Sequence, residues 1–196
     1  IRNSGFVSRT LISRNPVINS GTVLSFYQID NGVLKFQPDW PELTDISAFV
    51  TVNNNDADVM ADKAMIQNME LLETMAQVRP DPSGGSWLSL SSGSNTTTDL
   101  GLEFLKNTPV RNNIGAFIDD WQGQGSLQVD IELGIPINNP GRENDVLVNV
   151  LSNQSTLSIP EYSLSIDELR GRVVYDSESG LSANAMSGKL FDFPIA

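Results

Sequence analysis

The chain has 196 residues and a formal charge of −12, with neither cysteine nor histidine. Without cysteine there are no disulfides, thiolate metal sites or cysteine nucleophiles; without histidine there is no Ser-His-Asp triad and no His-based zinc site. Length predicts one domain able to bury a core, and the acidic balance argues against phosphate-backbone binding by the folded body.

The charge is unevenly placed. Arg2, Arg9 and Arg14 are the only charges before Asp30, so the first 29 residues carry +3 and the rest −15. Residues 1–20 read as an N-terminal arm that can supply an edge strand, and the basic residues read as a solvated arm rather than an RNA contact. Residues 21–196 read as a single β domain. The opening IRNSGFVSRT lacks the apolar core of a signal peptide, which fits a mature or excised fragment. No apolar run is long enough to predict a membrane-crossing helix.

In GTVLSFYQIDNGVLKFQP, Asn31-Gly32 is the favoured pair for a two-residue hairpin turn, because both positions then need positive φ. This predicts Asp30 opposite Val33, Ile29 opposite Leu34, Gln28 opposite Lys35 and Tyr27 opposite Phe36. Asp45 to Val52 predicts a strand with Ile46, Ala48, Val50 and Val52 on one face.

Residues 56–78, DADVMADKAMIQNMELLETMAQV, predict the long helix of the chain. They contain no Gly or Pro. Met65, Met69, Leu72 and Ala76 fall at helical spacing, Asp58 and Asp62 sit in the first turns, and Pro80 and Pro82 stop the segment. Four of the five methionines lie here, which suits a helix filling uneven gaps over a twisted sheet.

Trp87 to Leu90 predicts a short strand, followed by a polar loop, SSGSNTTT. Residues 99–106 alternate at Leu100, Leu102 and Phe104 and read as a strand, whereas 113–122 read as a short helix. Ser126 to Ile135 predicts a strand with Leu127, Val129, Ile131, Leu133 and Ile135 on one face and Gln128, Asp130 and Glu132 on the other. Asp145 to Leu151 predicts its neighbour. Thr156–Ile159 and Glu161–Ile166 read as two short strands parted by Pro160. Ser165 and Glu168 have capping-box spacing for one helical turn. Arg172 to Asp176 and Lys189 to Ile195 complete the strands, with DSESG a turn. The sum predicts a mainly antiparallel β-sandwich, jelly-roll-like, with the helix at 56–78 inserted and one or two short helices besides.

No phosphate-binding loop or nucleophile elbow is present, and NNDADVMAD lacks the glycine and glutamate of an EF-hand. This argues against an enzyme and against any cofactor or bound metal. The acids beside tryptophan, Asp39-Trp40 and Asp119-Asp120-Trp121, are the candidate ligand-binding residues, since acids near exposed aromatics build many sugar sites. Asn95 and Asn153 head N-glycan acceptor triplets.

Short strands rich in Asn, Ser and Thr, prolines in loops such as INNPGREN and RPDPSGGS, and the lack of Cys and His resemble the β-sandwich domains of virus capsids. That resemblance, one of texture across the chain, implies a capsid or protruding surface domain of a virion or extracellular surface. It implies self-association into a symmetric oligomer and attachment to a host receptor or glycan. The acidic body suits an outward-facing domain rather than an RNA-packaging shell. The alternative is a lectin-like or glycan-hydrolysing sandwich using the acids and tryptophans above.

Overall fold

The computed structural model describes residues 5–15, 20–35 and 38–196; Arg2 and Phe36 lie outside them. The strands are β1 (Gly5–Asn15), β2 (Ser20–Leu34), β3 (Leu43–Asn53), β4 (Asp56–Ile66), β5 (Met69–Pro80) and β6 (Ser86–Thr97), followed by helices α1 (Thr98–Lys106) and α2 (Val110–Ile114) and a 3₁₀ turn (Ala116–Ile118). Then come β7 (Gln122–Ile137), β8 (Asp145–Ile159), a 3₁₀ turn (Pro160–Tyr162), β9 (Leu164–Asp176), β10 (Gly180–Leu190) and β11 (Phe193–Ile195). Each strand pairs antiparallel with its neighbour in sequence, and β1 to β11 form one open sheet. The mainly β, antiparallel reading is therefore correct. Among the described residues a single layer of strands is present.

The predicted helix at 56–78 is instead the β4–β5 hairpin, in register from Ile66↔Met69 to Ala57↔Val78. Two features hid it. Its turn, Gln67-Asn68, carries no Gly or Pro, and Gln67 takes a positive φ of 52°. A second positive φ, 51° at Glu73, lies inside β5 and breaks the two-residue alternation, so that Met69 and Ala76 face one side while Met65, Leu72 and Met75 face the other. Read without that break, these residues imitate a helical stripe.

Asn31 does have positive φ, 53°, but it forms a bulge within continuous β2, not a turn. The strand runs past it, from Ile29↔Ala48 to Gly32↔Ile46 on β3. The predicted partners Val33, Leu34 and Lys35 therefore do not face Asp30, Ile29 and Gln28, whose own neighbours lie on β1 and β3. β1 is the edge strand, running from Gly5↔Asp30 to Asn15↔Ser20. Further positive-φ residues interrupt β3 at Asp45, β9 at Glu168 and β10 at Ala185. Such extra residues increase local twist and bend the sheet.

Residues 99–106, expected as a strand, are α1. The polar run SSGSNTTT continues β6 as far as Thr97, and its last threonine, Thr98, opens α1. The capping-box segment Ser165–Gly171 is part of β9, and Lys189–Ile195 splits into the end of β10 and β11 around a turn at Phe191-Asp192. The β3 and β7 faces are as expected, and β8 is the neighbour of β7.

Candidate ligand-binding face

Following the register strand by strand divides the sheet into an apolar and a polar face. The apolar face carries Ala48, Val50 and Val52 of β3, Ala57 and Val59 of β4, and Ala76 and Val78 of β5. It continues through Leu88 and Leu90 of β6 opposite Ile135 and Leu133 of β7, and through Val146, Val148 and Val150 of β8. Val173 and Tyr175 of β9 and Ala183 and Leu181 of β10 extend it. The polar face carries Asp58, Gln77, Ser89, Gln128, Asp130, Glu132 and Asn149 at the intervening positions.

Among the described residues only one end of the apolar face is covered. There Leu43, Ala64, Ile66, Met69 and Leu71 form the core cluster, with Ile46 and the α1 residues Leu100 and Phe104 packed on it. Leu102 of α1 is buried, and a Cβ at Gly101 would sit 3.4 Å from Leu127 Cδ1. The helix of nine residues is about 13.5 Å long, while β3 to β7 spans about 19 Å at ordinary strand spacing. For α1 to touch both, the sheet must curl around it, as the bulges allow.

The sheet beneath α1 is lined by small hydroxyl residues, which let the helix approach closely and satisfy one another. Thr74 and Ser92 share a 2.8 Å hydrogen bond, Ser94 Oγ donates to the Glu70 carbonyl at 2.7 Å, and Ser152 and Ser155 share another at 2.7 Å. The Thr96 hydroxyl alone among the buried described side-chain polar atoms has no partner.

Beyond α1 the apolar residues are only half-buried. Among the described residues no large side chain is fully buried, and the accessible surface is 12171 Å². A compact protein of 21.4 kDa exposes about 9,100 Å², so the molecule presents roughly a third more surface than its mass requires. Apolar area is what makes burial favourable, and this face leaves it open.

The opposite end is locked by loops. Arg142, between β7 and β8, pairs with Asp81 and lies 3.5 Å from the centre of the Trp87 ring. Asn139 Nδ2 donates to Ser83 Oγ at 2.9 Å and to the Gly84 carbonyl at 3.0 Å. The hydroxyl and amide of Ser83 donate to Asp81, and with Arg142 they hold its carboxyl below the usual aspartate range against the opposing effect of burial. The Trp87 ring packs against Gly134, where a Cβ would come within 2.2 Å of the ring.

The sequence-predicted site residues lie at the α1 end, where Trp40, Asp119 and Trp121 are tied into the packing and Asp39 and Asp120 are exposed. Trp40 packs on Phe104 of α1 with ring centres 6.2 Å apart, and its carbonyl accepts from Lys35 Nζ. Asp39 is exposed in the β2–β3 turn. Trp121 meets Phe117 edge-on at 5.4 Å, and its carbonyl accepts from Lys106 Nζ at 2.8 Å. Asp119 accepts two hydrogen bonds from Arg111, the Nε one at 2.7 Å, and this lowers its pKa. Asp120 is exposed beside it. Among the described residues no group of three or more acids is arranged to hold a metal. Asn95 and Asn153 are exposed on β6 and β8.

The open aliphatic face was missed from sequence although its β3 and β7 parts were correctly read. Alternation shows which residues share a face and not whether anything covers it.

A family model described as YhdP protein matches residues 5–196. The chain belongs to the YhdP family. No curated protein and no solved structure matches the chain significantly. No helix of the described residues is long and apolar enough to cross a membrane.

Proposed function

We propose that this region of the YhdP-family chain is a binding element whose aliphatic sheet face shelters the hydrocarbon chains of a lipid. The observation that carries the reading is the run of Val, Ile, Leu and Ala across β3 to β10, uncovered outside α1. Its lining supports an acyl chain over a protein side. Protein interfaces concentrate Trp, Tyr, Phe, Met and Arg at their centres, whereas here aliphatic residues dominate and Tyr175 is a rare exception. A feature-poor wall suits a ligand without hydrogen-bonding groups. Beyond Leu127, which lies against α1, strand β7 has five apolar residues from Val129 to Ile137 on this side and offers a wall about 27 Å long, longer than an extended acyl chain.

Diphenylhexatriene, a neutral apolar rod, tests this directly. The reading expects saturable fluorescence enhancement, displaced by a phosphatidylcholine with short chains. Absence of enhancement at protein concentrations up to about the tens of micromolar expected for a one-sided contact overturns it.

A second reading keeps the sandwich architecture and the self-association that the capsid resemblance implied. The same uncovered face would be closed by a second sheet stacked at about 10 Å, and the exposed Leu11 and Ile12 on edge strand β1 favour association at that edge. Sedimentation velocity separates the two: a concentration-dependent dimer that excludes diphenylhexatriene supports the second, and a monomer that binds it supports the first.

A further inference from the structure

The polar face carries its own apolar feature. Phe49 of β3, Met60 of β4 and Met75 of β5 are direct lateral partners, and they are 47%, 58% and 49% exposed. Phe26 of β2 stacks on Phe49, ring centres 6.0 Å apart and planes 26° from parallel. These exposed large apolar side chains, on a face that also carries Asp58, Gln77, Gln128, Asp130, Glu132 and Asn149, have no role in the core, and contiguous exposed patches of this kind mark interaction sites. The same lateral row continues through Ser91, Glu132, Leu147 and Asp176. It therefore passes from apolar to acidic. Glu132, Asp145 and Glu178 line the depression there with Trp87 and Leu147, and none of the three has a cationic partner among the described residues. Arg79 and Arg142, which border it, are engaged by Asp58 and Asp81.

We propose that this row, on the side of the sheet away from the aliphatic face, docks a basic amphipathic helix of a partner protein. The row crosses the strands at right angles, so its side chains repeat every ~4.8 Å. A helix returns to the same face every 3.6 residues, or about 5.4 Å. A helix lying across the strands thus places about one side chain per strand, apolar over Phe49, Met60 and Met75 and basic over Glu132 and Asp145. Methionine adapts its shape to such a helix, and charge complementarity sets its direction.

The test uses the whole chain and a labelled 18-residue helical peptide whose docking face carries leucines over its first half and lysines over its second. A sequence-scrambled peptide of equal composition and a glutamate-for-lysine version serve as controls. Fluorescence anisotropy is expected to show saturable binding of the first peptide alone, weakened by salt. The double variant M60E/M75E, both sites exposed, is expected to lower affinity at least about tenfold, as loss of central anchors does, with an unchanged thermal melt. Leu133→Asn on the aliphatic face is expected to leave it unchanged. Equal binding of the scrambled peptide, insensitivity to M60E/M75E, or loss of binding in Leu133→Asn instead overturns the proposal. That last result leaves the aliphatic face as the binding surface and so separates this inference from the lipid reading.

Discussion

Leu133 sits in the middle of the aliphatic face, between Leu90 of β6 and Val146 of β8. Its replacement by aspartate is expected to abolish most hydrocarbon binding while leaving the sheet folded. A buried methylene is worth about 0.8 kcal/mol, and an open face covers one side of the chain, so about 0.4 kcal/mol each is the fair figure. Fourteen methylenes then give about 5–6 kcal/mol, a Kd of tens of micromolar. A carboxylate at 133 removes contact with about three of them, roughly 1 kcal/mol. Leaving an unpaired polar group under the chain adds about 1–3 kcal/mol. Together these weaken binding by about 30- to several-hundred-fold. The partner substitution is Glu132→Leu. Glu132 is adjacent in sequence but points to the other side, so the affinity should stay within about twofold, well below one tenfold step of 1.4 kcal/mol. Isothermal titration with a lysophospholipid below its micellar concentration reads both, and circular dichroism checks folding. If L133D binds as the parent does, or E132L changes affinity as much as L133D, the assignment of the face is wrong.

Gly134→Ala drives a Cβ to within 2.2 Å of Trp87, so the ring and the stacked Arg142 must move; a loss of about 1–3 kcal/mol and a red shift of tryptophan emission are expected. Asp81, Asp119, Asp176 and Glu168 all have pKa values lowered by hydrogen bonds from Ser83, Arg111, the Ser179 amide and Lys189 respectively. A lowered folded pKa means the unfolded chain binds the proton more readily. The stabilisation is therefore complete above about pH 4–4.5 and is lost as pH falls below that range. The melting temperature should decline steeply there, and less steeply in Arg111→Gln. A synthetic peptide of residues 56–78 should show helical circular dichroism in helix-promoting solvent, although the same residues are a hairpin in the protein; a peptide that stays extended would refute the claim that tertiary pairing overrides local preference.

Where strands were uninterrupted, the sequence was readable. In β7 apolar residues recur at every second position from Leu127 to Ile135, and in β3 from Ile46 to Val52, and both faces are as expected. Where a bulge intervenes, alternation shifts phase. Glu73 turned a β hairpin into an apparent helix, and Asn31-Gly32 suggested a turn where the chain only kinks. The serines and threonines of β6 look like a loop because nothing in their composition announces that α1 will lie on them. Leu100, Leu102 and Phe104 alternate as in a strand, yet in α1 Leu102 is buried and Leu100 and Phe104, four apart, pack on the core cluster. Of the candidate acids and tryptophans, Trp40, Asp119 and Trp121 are engaged by Phe104, Arg111 and Phe117, partners separated from them by turns or by long stretches of chain, so their engagement was invisible. Whether the aliphatic face is covered depends on layers, which periodicity does not encode.

The chain has no cysteine, so single cysteines at each position from 127 to 137 can carry an environment-sensitive fluorophore. Quenching by a phospholipid spin-labelled on its acyl chain then reads which side of β7 the hydrocarbon occupies. Strong quenching at 129, 131, 133 and 135, with little at 128, 130, 132 and 134, is the predicted result. Uniform quenching, or quenching that favours the even positions, would contradict it.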